Sequence, residues 1–162
     1  VSWRWMPTSG ADVPAIVELA VNHFQVEIDT VFTPDPIAYA RNLTMATVAQ
    51  YYNPGSELLK VAKDDATNAI IAYVWVMRNQ RAPWSDQEMA TVRMVHVDLA
   101  LSLRDRLRLV QEMLLSWEDW ARTYSIPIIC STTMRRETAG FLKLHQRNGY
   151  DVRGSFAYKK LN

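Results

Sequence analysis

The chain alternates between two hydrophobic periods. Along Ser2–Pro7, Trp3 and Trp5 interleave with Arg4 and Met6, the two-residue period of a strand. Asp12 then stands as a cap with Pro14 in the first turn that follows, and Val13, Ile16, Val17, Ala20 and Phe24 recur at helical spacing. Asp35-Pro36 opens a second helix in the same way, and Asn53-Pro54-Gly55 ends it after Tyr52. Leu58–Lys63 and Ala69–Met77 read as two strands around the turn Asp64–Asn68, the second apolar enough to be covered on both faces. Met89–Leu99 predicts a further strand, with Thr91, Arg93, Val95 and Val97 on one face and Val92, Met94, His96 and Asp98 on the other.

The strongest helical signal is Ser102–Tyr124, where Leu103, Leu107, Val110, Leu114, Trp117, Ala121 and Tyr124 step by three and four behind the capping pair Ser102 and Asp105. A short buried strand (Pro127–Thr132) and a helix (Glu137–Arg147) follow, and Asn148-Gly149-Tyr150 stops the helix. Asp151–Leu161 reads as a hairpin-like last strand. The predicted order is β-α-α-β-β-β-α-β-α-β, an α/β (α+β) chain with no internal repeat or linker, hence a single domain over residues 1–162.

Composition narrows the function classes. With 49% hydrophobic residues in a chain of 162, a sizeable core is affordable, and a net charge of +1 gives no electrostatic basis for a nucleic-acid partner. No apolar run approaches a membrane span and Val1–Trp5 has no signal-peptide layout, so the expectation is a soluble, cytoplasmic protein without a membrane partner. Cys130 is the single cysteine, which excludes an internal disulfide, and its apolar neighbours make it a structural thiol. One His beside one Asp on the Met89–Leu99 strand does not make a metal site, so no metal is expected. No glycine-rich dinucleotide or nucleotide-triphosphate loop and no Gly-x-Ser-x-Gly elbow occurs.

The run Leu144-His145-Gln146-Arg147-Asn148-Gly149-Tyr150 resembles the Leu-Tyr-x-x-x-Gly-Phe ending of the coenzyme-A half of GCN5-related N-acetyltransferases, the GNAT superfamily. The element order resembles that family over nearly the whole chain, and the motifs over Leu101–Leu161. The resemblance implies a mixed central sheet flanked by about four helices and splayed between its fourth and fifth strands. Acetyl-CoA would lie in the gap as cosubstrate, walled by Val95–Asp98 and Ile128–Ser131. It implies acetyl transfer to a small-molecule or protein amine by direct attack, in a monomer or homodimer.

Residue roles follow from the same resemblance. The strand backbone at Val95, Val97 and Leu99 would pair with pantetheine. The family's Gln/Arg-x-x-Gly-x-Gly/Ala phosphate motif falls on Asp105, Arg108 and Val110, or on Ser102, Asp105 and Leu107, with no glycine in either alignment. Arg104, Arg106 and Arg108 at that helix start offer side-chain cations instead, or form the solvated face of an amphipathic helix. His145 takes the position of the proton-donating Tyr, with Tyr158 as a second donor, and Glu88, His96 and Asp98 are the candidate bases. Phe32, Trp84, Tyr51 and Tyr52 could line an acceptor pocket. The alternative is a catalytically inactive protein of this fold, a binding or structural subunit such as those of phage particles, in which Leu107 or Leu109 closes the cleft.

Overall fold

The computed structural model describes residues 1–27, 31–133 and 138–161, leaving out the side chains of His23, Gln25, Val26 and Glu27. The elements run β1 (Trp3–Pro7), a 3-10 turn (Gly10–Asp12), α1 (Val13–Glu27), α2 (Pro36–Tyr52), β2 (Glu57–Asp64) and β3 (Ile70–Gln80). Then come β4 (Met89–Val97), α3 (Leu103–Thr123), β5 (Ile128–Ser131) and α4 (Ala139–Arg147). The five strands form one mixed sheet in sequence order, antiparallel from β1 to β4, with β5 parallel to β4.

Two cores lie on the two faces. On one, Val13, Ile16, Ala20, Leu43 and Ala46 of α1 and α2 pack on Leu59, Val61, Tyr73 and Trp75. On the other, Leu109, Val110, Met113, Leu114, Trp117 and Trp120 of α3 pack on Ala72, Val74, Val76, Ala90, Val92 and Val97. β3 contributes to both, which is why its sequence shows no alternation.

Four expectations are corrected. Strict alternation on β4 fails at Arg93: Trp75 pairs with Met94 but Val76 with Val92, so one extra residue bulges out of the ladder. The bulge puts Val92 and Val97 in the α3 core while Met94 faces the α1–α2 core, although the period-two count placed Val92 with Met94. The α3 stripe buries Val110, Leu114, Trp117 and Ala121 as expected but differs at its start and its breadth. Leu103 and Leu107 are exposed, and Leu109, Met113 and Trp120 are buried, because the helix meets the sheet only from Leu109 onward. Asp12 turns back to accept from the Ser9 N–H at 2.9 Å and pairs with Lys63, rather than capping α1. Finally, Asp151–Leu161 forms no strand. It runs exposed along the molecule, broken by Gly154 at φ 72° and carrying a local Arg153–Asp151 ion pair. Glu137, the expected start of α4, lies outside the described residues.

Two contacts fix α3 and α4. The indole N–H groups of Trp3 and Trp5 both donate to one oxygen of Glu112, each at 2.7 Å, and tie β1 to α3. At the end of α4, Asn148 and Gln111 exchange a reciprocal pair of amide bonds (2.8 and 3.0 Å). There Gly149 adopts φ 85° and the Tyr150 N–H returns to the His145 carbonyl, the wrapped end that a left-handed residue permits. A side chain at 149 meets no neighbour but must adopt this conformation. Gly149→Ala is therefore expected to destabilise the protein by about 1 kcal/mol, read as a lowered midpoint in urea unfolding, with the slope unchanged.

Candidate functional site

The β4–β5 ladder has a short reach. It pairs Met89 with Ile128 through Val92 with Ser131 and stops, while β4 runs on to Val97. The chain leaves β5 at Ser131, and α4 returns beside that strand end. His145, in the last turn of α4, is 3% exposed there. Its Nδ1 lies 2.8 Å from the Phe141 carbonyl oxygen and its Nε2 lies 2.9 Å from Ser131 Oγ. A carbonyl only accepts, so Nδ1 carries the proton. The rings of Phe141 (4.4 Å between centroids), Tyr150 (5.0 Å) and Trp117 (6.0 Å) enclose the imidazole. Burial pushes its pKa below the usual value, against the opposing pull of the Phe141 carbonyl. The neutral ring thus presents the Nε2 lone pair to the Ser131 hydroxyl, which donates to it.

This pair borders a cavity of about 720 Å³ between β5, α4 and the C-terminal segment. Ile129, Thr132, Thr138, Leu142 and Val152 line it together with Ser131 and His145. Cys130 also lines it, with burial raising its thiol pKa. Tyr150 closes one wall. Its hydroxyl accepts from the Trp117 indole at 2.7 Å, and burial pushes its pKa up to about 12. Tyr158 reaches the same cavity through the exposed segment, edge-on to Phe32 at 5.8 Å.

The other sequence candidates fall elsewhere. Glu88 precedes β4 and receives two bonds from the Arg78 guanidinium (2.7 and 3.0 Å) and one from the Asn79 N–H. The Arg78 contact holds its carboxyl below the usual range, so it is a weak base, although its neighbour Met89 lines the cavity. His96 is buried on the α1–α2 face and stacks on Tyr73 at 5.6 Å. Asp98 accepts from the Ala100 N–H at 2.9 Å and shapes the turn that leaves β4. Tyr51 lines a second cavity of about 550 Å³ near Thr8, Lys60 and Trp120, and Trp84 is exposed, so the four aromatics expected around one acceptor pocket are dispersed.

The start of α3 is capped as expected. Ser102 Oγ accepts from the Asp105 N–H at 3.1 Å and donates to Asp105 Oδ2 at 2.7 Å. The Asp105 carboxylate is thereby held by a hydroxyl and not by the backbone of the turn. The cap uses one first-turn N–H, and those of Leu103 and Arg104 point out of the helix end. Arg104 is exposed, Arg106 is half-buried, and Arg108 lies 4.4 Å over the Trp3 ring while paired with Glu112. Leu107 is turned to solvent, and Leu109 belongs to the sheet-facing stripe.

Val95, Val97 and Leu99 follow the end of the β4–β5 ladder. Among the described residues, no group of three or more His, Cys, Asp or Glu could hold a metal ion, and no helix is long and apolar enough to cross a membrane.

The mixed five-stranded sheet with β5 parallel to β4, and the helices on its two faces, match the fold of the GNAT acetyltransferases. The chain is similar to the glucosamine-6-phosphate N-acetyltransferase of Arabidopsis thaliana, at 12% identity and TM-score 0.71 over 100% of both chains. It is likewise similar to the aminoglycoside 6'-N-acetyltransferase AAC(6')-Ih of Acinetobacter baumannii, at 15% identity and TM-score 0.69 over 99% of both chains. A predicted acetyltransferase with acetyl-CoA from Clostridium acetobutylicum matches at 14% identity and TM-score 0.67, over 99% of this chain and 96% of that one. No protein-family model matches the sequence, and no curated protein matches it.

The sequence named His145 as a candidate and Ser131 only as the end of a cleft wall, because their contact spans a strand end and a helix and leaves no spacing signature. The legible hint was only that a strand feeding a helix brings those two ends together.

Because the folded His145 has a lowered pKa, the unfolded chain takes up its proton first as pH falls. Stability from this residue is full above its ordinary pKa of about 6.5 and declines as pH drops below that value. Melting temperatures measured from pH 8 to pH 5 should show this decline, and His145→Gln should remove that part of it.

Proposed function

We propose that the protein is an acyl-CoA-dependent N-acyltransferase that passes an acetyl group from acetyl-CoA directly to an amine. The observation that carries this reading is the β4–β5 ladder, which ends at Val92 and Ser131 while β4 continues, within a fold shared end to end with acetyltransferases. Pantetheine then runs along Val95, Val97 and Leu99, past the end of the ladder. The pyrophosphate meets the N-terminus of α3, where the free first-turn N–H groups and the dipole favour an anion even without glycines. Arg104 and Arg106 supply the cationic contacts, whereas Arg108 is committed to Trp3 and Glu112.

His145 is assigned here as the proton acceptor. The role of donor to the departing thiolate suits an imidazolium, and this imidazole is neutral with its one proton held by the Phe141 carbonyl. Its Nε2 draws on the Ser131 hydroxyl, which takes the proton of the attacking amine as it gives up its own. The proton ends on the coenzyme thiolate. The lining of the cavity by Ser131, Thr132, Thr138 and Leu142 fits an amine-bearing acceptor of mixed polarity. Glu88, His96 and Asp98 are left with structural duties.

Two measurements test the reading. Titration calorimetry with acetyl-CoA should show binding, and Arg104→Ala with Arg106→Ala should weaken it by at least about tenfold, or about 1.4 kcal/mol. Absence of binding by the unaltered protein would remove the transferase assignment and favour the inactive binding protein. For the chemistry, His145→Gln should lower kcat by about a hundredfold at pH 8 with little change in KM. The unaltered enzyme should lose activity as falling pH protonates His145, and wild-type turnover in the variant would return His145 to packing.

A further inference from the structure

We infer that Ser131 is itself a nucleophile, activated by His145, and that the cavity at the end of β5 hydrolyses small acyl esters through an acyl-serine intermediate. Three groups stand in line: the Ser131 hydroxyl, the imidazole and a backbone carbonyl. Ser131 Oγ is 2.9 Å from His145 Nε2, and Nδ1 is 2.8 Å from the Phe141 oxygen, which fixes the tautomer with the basic nitrogen toward the serine. Nucleophile, base and an orienting third group within hydrogen-bond reach are the arrangement that activates an otherwise unreactive hydroxyl. The rings of Phe141, Tyr150 and Trp117 hold the imidazole plane, so little reorganisation is needed when the proton moves.

The setting fits a small ester. Both residues line a cavity of about 720 Å³, room for a short acyl chain and its alcohol, with Ile129 and Leu142 as apolar contacts and Thr132 and Thr138 as polar ones. Thr138 is also the N-cap residue of α4 and its side chain makes no cap bond, so the positive end of that helix borders the place where negative charge develops on the carbonyl oxygen.

The step balances as follows. The Oγ lone pair forms a bond to the ester carbonyl carbon while the hydroxyl proton goes to Nε2. The C–O bond of the ester breaks, and the departing alkoxide takes that proton. Water then attacks the acyl carbon, its proton passes to Nε2 and back to Oγ, and a carboxylic acid is released. No coenzyme enters either half. The inference therefore stands apart from the transferase reading: failure of acetyl-CoA to bind leaves it intact, and failure of Ser131 to acylate leaves direct transfer intact.

The test uses the full chain, with p-nitrophenyl acetate as substrate and a fluorophosphonate as a trapping probe. Nitrophenolate release should be catalytic, and peptide mass spectrometry should place the phosphonyl group on Ser131. Ser131→Ala should abolish labelling and slow release by about a hundredfold, the usual worth of an activated group. His145→Gln should do the same in protein whose near-ultraviolet circular dichroism is unchanged. The fluorophosphonate result needs no variant to fold. Label on Cys130, on a lysine or on a tyrosine in place of Ser131, or release undiminished in Ser131→Ala, would overturn the inference.

Discussion

A parallel strand cannot be reached by a tight turn, and that constraint organises this molecule. To lie beside β4 in the same direction, β5 must be approached through a crossover, and the 21 residues of α3 provide it. Everything near the candidate site depends on how α3 seats. Its buried stripe from Leu109 to Ala121 fixes it on the sheet, the Glu112 carboxylate locks its outer face to Trp3 and Trp5, and Gln111 holds the end of α4 through Asn148. Once α3 is placed, the start of β5 and the approach of α4 have little freedom left.

The functional geometry is a consequence of a short ladder. β5 pairs with β4 over Ile128–Ser131, its whole length, so Ser131 is the last paired residue of the strand. Ser131 is half-buried there, and α4 brings a buried imidazole against it. The result is a polar contact with unusually little ambiguity: one ring nitrogen is committed to a carbonyl and the other faces a hydroxyl in a cavity. Burial lowers the proton affinity of His145, so the ring stays neutral and keeps its Nε2 lone pair available, at some cost in basicity. Elsewhere, at the β3–β4 end, Arg78 holds Glu88 ionised through two hydrogen bonds.

The fold was legible in the sequence because its signals are local and repeated. Apolar spacing in 102–124, the two Asp-Pro and Asn-Pro-Gly punctuation points, and the glycine after α4 each act within a few residues, and the elements from β1 to α4 follow in the expected order. Errors arose where one residue changes parity or where a partner decides. The Arg93 bulge shifts faces on β4 with no mark in the alternation, since a bulge is defined against the neighbouring strand. On α3 the expected stripe starts too early, because Leu103 and Leu107 fit the helical period yet lie where the sheet does not reach. Asp151–Leu161 has strand-like alternation, but alternation alone does not supply a pairing partner, and the segment stays exposed.

What the sequence determined by itself was the order of elements, the two-faced burial of β3, and the stop at Gly149, all of which follow from side-chain polarity and backbone freedom at single positions. It also marked His145 as the histidine next to a family-like ending. Only the tertiary structure decided what that histidine does. Its partner is fourteen residues away at a strand end, its tautomer is set by the Phe141 carbonyl, and its charge is set by three rings from two helices and a turn. Proton affinity depends on what surrounds a group in space, and no spacing along a chain encodes that.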